Sequence, residues 1–171
     1  TTTYSVTGTA SGCTGSNTVT ITVTPNLTQI FAAVPSICSG ATLAPLPTTS
    51  QNGITGTWSP AMNNTATTTY TFTPTIGQCA TTTSLTITVN PKPVITATAT
   101  PTSICQGSAS SLSAGSSVTG TTYVWTPGNL TSNPVSVTPA STTTYSVTGT
   151  AAGCTGTNTV TITVNPKPVI T

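Results

Sequence analysis

The sequence contains no aspartate, no glutamate and no histidine, and its only charged side chains are Lys92 and Lys167. Each absence excludes a class of chemistry. Without carboxylates there is no acid–base pair and no oxygen cage for a hard cation, and without imidazole no side chain ordinarily titrates near neutral pH. An enzyme is therefore the least expected function, and no cofactor or metal is expected. Two lysines are too few to neutralise a phosphate backbone or hold an anionic bilayer, since both need clusters of positive charge. Nucleic acid is thus excluded as an expected partner. Long apolar runs are missing as well. The longest, around Ile30 to Val34, is far short of the roughly 20 residues a spanning helix needs, and no basic and apolar leader opens the chain. No membrane insertion is expected.

Threonine and serine fill the space that charge leaves, with 49 and 19 of the 171 residues. Disorder does not follow, because disordered chains are charge-rich and poor in β-branched residues, whereas Thr, Val and Ile favour strands. With so little charge, the fold should be nearly indifferent to pH and salt.

Internal repetition is the strongest signal. Thr1 to Thr9 recurs letter for letter as Thr142 to Thr150, with a divergent copy at Thr67 to Thr73. Tyr4, Tyr70 and Tyr145 advance in step with Cys13, Cys79 and Cys154, while Asn90-Pro-Lys-Pro-Val-Ile-Thr96 returns as Asn165 to Thr171. Ser36-Ile-Cys-Ser-Gly40 matches Ser103-Ile-Cys-Gln-Gly107, and Trp58-Ser-Pro matches Trp125-Thr-Pro at the same offset.

Each repeat reads as short strands with turn punctuation. Its last strand alternates apolar and hydroxyl residues: Val19, Ile21, Val23; Leu85, Ile87, Val89; Val160, Ile162, Val164. That is the period of a half-buried antiparallel strand. The preceding strand carries Tyr4 and Val6, Tyr70 and Phe72, or Tyr145 and Val147, joined by a glycine-containing turn, so the two form a hairpin. Trp58 with Ile54, and Trp125 with Tyr123, mark a middle strand; Leu112 and the Val135, Val137 pair suggest two more. Proline, which cannot donate to a sheet ladder, sets boundaries at Pro25, Pro91 and Pro166. The expected organisation is half a repeat over 1–25, whole repeats over 26–92 and 93–168, and the start of another at 169–171. A half-sandwich cannot bury its own apolar face, so 1–25 is expected to need strands from further upstream or from another subunit, and a chain opening in mid-repeat suggests a longer parent.

The order Ile-Cys-x-Gly, Trp-Ser/Thr-Pro, Asn133 to Thr148, Gly-Cys, then Thr-Val-Thr-Ile-Thr-Val-Asn-Pro is similar to the immunoglobulin-like, PKD-like repeats of giant Bacteroidetes surface proteins. These occur in type IX-secreted adhesins, including gliding-motility adhesins. The resemblance covers essentially the whole chain and fits the last repeat best; the repeat at 26–92 departs from it, with nothing in 61–69 matching the strand at 133–138. It implies an all-β protein of tandem immunoglobulin-like antiparallel β-sandwich repeats, secreted and located outside the cell or on its surface. The function it implies is a structural or adhesive repeat region of an extracellular fibre, whose partners are copies of itself or flanking repeats. An accessory glycan-binding module of a secreted adhesin or enzyme is the alternative, with surface glycans as ligand.

Cysteine carries the only specific chemistry. Five cysteines at repeating positions, without His or Cys-x-x-Cys spacing, read as disulfides of an oxidising compartment rather than as a metal site. Order along the chain favours Cys38 with Cys79 and Cys105 with Cys154, leaving Cys13 for an upstream partner. Strict immunoglobulin topology instead places the two kinds of cysteine at opposite ends of one sandwich, too far apart to bridge. Cys38 would then pair with Cys154, and Cys13 and Cys105 would seek partners in flanking repeats or subunits. Trp58, Trp125, Tyr4, Tyr70 and Tyr145 are expected in cores, with sugar stacking by the tryptophans as the rival reading. Pro91, Lys92, Pro93 and Pro166, Lys167, Pro168 read as solvated linkers stiffened by proline.

Overall fold

The computed structural model describes residues 1–168, so the expected start of another repeat at 169–171 lies outside the described residues. The strands in chain order are β1 (Thr2–Ala10), β2 (Cys13–Ile21), β3 (Ile37–Cys38), β4 (Gly56–Ser59), β5 (Thr68–Pro74), β6 (Thr83–Ile87), β7 (Val89–Asn90), β8 (Ile95–Thr100), β9 (Ser103–Cys105), β10 (Ser110–Ser116), β11 (Thr122–Thr126), β12 (Val135–Val137), β13 (Thr143–Ala151) and β14 (Cys154–Asn165). No described residue is helical. An all-β fold follows from alternating Thr with Val, Ile, Tyr and Phe, which suits a pleated surface with one buried face.

The chain divides into two compact units, and they cut it differently from the sequence repeats. One unit contains everything from Ile87 onward together with Pro35–Leu43 and Asn63–Thr68. In it, β12-β10-β8 form one antiparallel sheet, and β11-β13-β14-β9 form the other, with β9 running parallel to β14. Ile95, Ala99, Leu112 and Val137 from the first sheet meet Ile104, Trp125, Tyr145, Val147 and Ile162 from the second in one core. Each such side chain contributes about 1.5–3 kcal/mol by leaving water. Two glycines, facing each other on β13 and β14, make room for the segment entering β8: a Cβ at Gly156 would fall on the backbone carbonyl of Pro93, and one at Gly149 on the Ile95 side chain.

Segments 35–43, 63–68 and 87–92, expected within the repeat 26–92, join this unit through hydrogen bonds. Cys38 pairs with Asn90 in the parallel β3–β7 ladder, Ser39 N donates to Asn90 O at 2.8 Å, and Gly40 N donates to Asn64 O at 2.9 Å. The linker expectation changes accordingly. Pro91 and Lys92 are exposed, but Pro93 is buried, and Asn90 Nδ2 donates to Ala152 O at 3.0 Å. The solvated-linker expectation therefore holds for Pro91 and Lys92 and fails at Pro93, because Pro93 and Ile95 seat against the glycines of β13 and β14. Pro166, Lys167 and Pro168 remain exposed.

The second unit comprises Thr1–Val34, Ala44–Met62 and Thr69–Thr86. Strands β4-β5-β6 form its main sheet, with Trp58 opposite Phe72. Tyr70, Phe72, Leu46 and Ile54 are buried. Phe31 meets Trp58 and Phe72 edge-on, each at 4.8 Å between ring centroids. Trp58 is half-buried, with its Nε1 donating to Pro47 O at 2.9 Å, so it sits at the edge of this cluster rather than inside it. Residues 61–67 form no strand.

Strands β1 and β2 form a hairpin on which the expected core position of Tyr4 fails. Tyr4 is 56% exposed and Val6 69%, whereas their sequence counterparts Tyr145 and Val147 are 6% and 0% exposed. The registers are the same, Tyr4 with Val19 and Tyr145 with Val160. Only the covering differs: β8, β10 and β12 lie over β13 and β14, while every residue of β1 and β2 is exposed.

Hydroxyls take the place of ion pairs between strands. Thr3 with Thr20, Thr69 with Thr86 and Thr144 with Thr161 are joined through their Oγ1 atoms at 3.0, 2.7 and 2.8 Å. Such cross-strand pairs contribute roughly 0.2–1 kcal/mol each. Thr67 Oγ1 accepts from Val89 N, and Thr142 Oγ1 from Val164 N.

Candidate functional site

Two structural motifs hold the cysteines. The first is a turn. Ala152 and Gly153 have φ of 47° and 79°, and Ser11 and Gly12 have φ of 51° and 77°, the paired positive values of a two-residue hairpin turn matched to strand twist. Each turn delivers a cysteine, Cys154 or Cys13, to the first position of the outgoing strand. The second motif is a loop beside the end of a last strand. Cys38 lies opposite Asn90 and Cys105 opposite Asn165, both in parallel ladders. Ser39 N donates to Asn90 O as Gln106 N does to Asn165 O; Ala41 N donates to Cys38 O as Ser108 N does to Cys105 O.

One turn and one loop are joined. Cys38 and Cys154 form a disulfide with Cα atoms 5.6 Å apart, inside the range that such a bond requires. The pairing expected from chain order, Cys38 with Cys79 and Cys105 with Cys154, is not the one formed. Its failure has a local cause. Cys79 lies outside the strands at φ 45°, in a wider β5–β6 connection where its carbonyl accepts from Leu27 N. It therefore lacks the turn that presents Cys154. Cys13, Cys79 and Cys105 are free and exposed.

The hairpin β1–β2 is the second unusual surface. Tyr4, Val6 and Val19 line a shallow depression with Ser5, Asn17 and Thr18. Gly8 and Gly15, counterparts of Gly149 and Gly156, have open space where a Cβ would stand. Asn158 bonds Thr159 N with its Oδ1 and gives its Nδ2 to Ile95 O at 2.8 Å. Asn17 makes the same bond to Thr18 N, but among the described residues nothing accepts from its Nδ2.

The remaining expected residues are placed as follows. Trp125 is fully buried and its Nε1 has no partner, which removes it from any surface. Trp58 lines a groove with Leu46, Pro60 and Met62. Tyr70 and Tyr145 are buried, and burial pushes the Tyr145 phenol above its ordinary pKa of 10.0. Sequence reasoning missed Phe31, which completes the aromatic cluster from a stretch without strand periodicity, and Asn90 and Asn165, whose side chains and carbonyls frame the two cysteine loops.

No protein-family model matches the chain, and no curated protein matches it in sequence. Solved structures match it in fold. A structure of the N-terminal eight Ig domains of Down syndrome cell adhesion molecule, isoform 1.30.30, is 14% identical over 96% of this chain, with a TM-score of 0.58. The chain spans 27% of the length of that protein chain. A structure of the N-terminal four Ig domains of Dscam1 isoform 8.4 is 9% identical over 85% of this chain and 46% of that one, with a TM-score of 0.32. The first of these likenesses, with the strand content, makes the chain an all-β protein of immunoglobulin-like repeats.

Proposed function

We propose that the chain is a structural and adhesive repeat region of an extracellular or cell-surface fibre, without catalytic activity, whose partners are further copies or flanking repeats of the same kind. The observation that carries this reading is the hairpin β1–β2: it repeats a buried hairpin in sequence and register, yet exposes Tyr4, Val6, Val19 and Ile21. An apolar sheet face of this kind marks an interaction surface, and edge strands usually owe their solubility to charges that are absent here. The disulfide fits an oxidising location. The motif resemblance supports a secreted surface protein of the Bacteroidetes adhesin type. Negative-stain microscopy and sedimentation test the reading: filaments or concentration-dependent oligomers are expected, and a monodisperse monomer at high concentration overturns it.

A glycan-binding module is the second reading, favoured by the half-buried Trp58 in its groove beside Pro60 and Met62. It predicts saturable quenching of Trp58 fluorescence by a glycan, lost in Trp58→Ala. A flat response across a glycan panel removes it.

A further inference from the structure

We propose that the chain docks head to tail onto a second copy of itself and that the junction is closed by a disulfide between Cys13 of one copy and Cys105 of the other. The inference rests on the fibre reading above and assigns its partner surface and register. Its template lies within the chain itself. Cys154, on a two-residue turn, is bonded to Cys38, on a loop framed by Asn90. Cys13 sits on the same turn, in a sequence that differs from residues 142–164 only at Ser11 and Ser16. Cys105 sits on the same loop, framed by Asn165 in place of Asn90, with the same two backbone hydrogen bonds. Both thiols are exposed and unpaired.

The non-covalent part repeats as well. In the closed pair, Asn90 and the residues after it run over the hairpin: Asn90 Nδ2 bonds Ala152 O, Pro93 covers Gly156, and Ile95 covers Gly149 and accepts from Asn158. The heptapeptide from Asn165 is identical to that from Asn90, so Pro168 stands in the place of Pro93. The waiting hairpin offers open space over Gly15 and Gly8 and an Asn17 amide with no described acceptor. Asn165 Nδ2, which now donates to Ser103 Oγ at 3.0 Å, turns to the carbonyl of Ser11 on docking. Head-to-tail contacts of this kind are heterologous and propagate into open chains or rings.

Closing the bond removes one proton from each thiol and two electrons in total. A small disulfide oxidant takes both, becoming two thiols, by exchange through a mixed disulfide. With oxidised glutathione, one equivalent is consumed and two of reduced glutathione are released per junction.

The test is oxidation of the purified 171-residue chain with oxidised glutathione, followed by non-reducing electrophoresis and mass spectrometry of chymotryptic peptides. A ladder in steps of 16.9 kDa is expected, with Cys13 linked to Cys105. Cys13→Ser and Cys105→Ser each stay monomeric alone; mixed, they give one heterodimer and stop. Cys79→Ser keeps the ladder. Gly15→Ala, which fills the docking space, slows cross-linking while leaving the melting temperature unchanged. A ladder that survives Cys13→Ser, a Cys13–Cys13 or Cys105–Cys105 bond, or no ladder overturns the proposal. So does native material in which Cys13 is bonded to a preceding segment of its own polypeptide. Filaments that form from the Cys13→Ser, Cys105→Ser double variant and are unaffected by adding Gly15→Ala overturn this junction and leave the fibre reading standing, whereas loss of all assembly in the unaltered chain overturns both.

Discussion

Gly15 and Gly156 stand at the same point of the same hairpin sequence, and neither has a positive φ, so only their surroundings distinguish them. A Cβ at Gly156 would meet the backbone carbonyl of Pro93, while one at Gly15 would meet nothing. Backbone cannot swing aside as a flexible side chain can, so Gly156→Ala is expected to cost about 1–3 kcal/mol through overpacking. Gly15→Ala in the isolated chain is expected to stay within about 0.5 kcal/mol of the parent. Thermal denaturation followed by circular dichroism separates the two; equal melting temperatures would show that Pro93 does not lie against β14. Sequence alone cannot rank these glycines, because the difference is supplied by a segment more than sixty residues away. The same reasoning explains Tyr4: its strand and its outward period are legible, but burial belongs to what covers a face, and nothing in the alternation of Thr2–Ala10 says whether a second sheet is present.

Among the elements, the hairpins were the most legible, since Tyr-x-Val before a Gly-Cys turn and Thr-Val-Thr-Ile after it leave one pairing that buries a single face. Cysteine pairing was legible only as two alternatives. The deciding feature is turn chemistry: Ala152-Gly153 adopts paired positive φ and delivers Cys154 into a strand, whereas the Gly77 and Cys79 positive values belong to a wider connection. Of the linker residues Pro91, Lys92 and Pro93, only Pro93 departs from the sequence reading by being buried, because proline signals the end of a ladder but not what the freed chain then lies against. The disulfide should be the largest single constraint on its unit. It closes a separation of 116 residues, for which the chain-entropy relation gives about 5 kcal/mol. Cys38→Ser is therefore expected to reduce the unfolding free energy by an amount approaching that figure, seen as a lower urea midpoint with a steeper slope, because the unfolded chain freed of the bond exposes more surface. An unchanged midpoint would mean that the unfolded chain is not restrained by this bond.

For the molecule as a whole, the lack of carboxylates and imidazole leaves almost nothing for acid to titrate. Acid denaturation mostly reflects carboxylates whose native pKa is depressed, and this chain contains none on its side chains. Stability is therefore expected to be flat from about pH 4 to about pH 8, a range over which ordinary domains change by kilocalories. The alkaline side differs. Burial raises the Tyr145 phenol above 10.0, so the native state holds that proton to higher pH than the unfolded chain does. The stability linked to it is complete below about pH 10 and is lost as pH climbs from there through the raised native value. Urea midpoints across the pH range test both halves. Tyr145→Phe should flatten the alkaline fall without creating an acidic one, and a midpoint that drops between pH 7 and pH 4 would show that some group other than a side-chain carboxylate or imidazole governs the fold. The same neutrality predicts that midpoints at low and physiological ionic strength coincide, because screening acts only on charges. It also removes the repulsion that keeps charged proteins apart, so association should depend on concentration and on oxidant but not on salt.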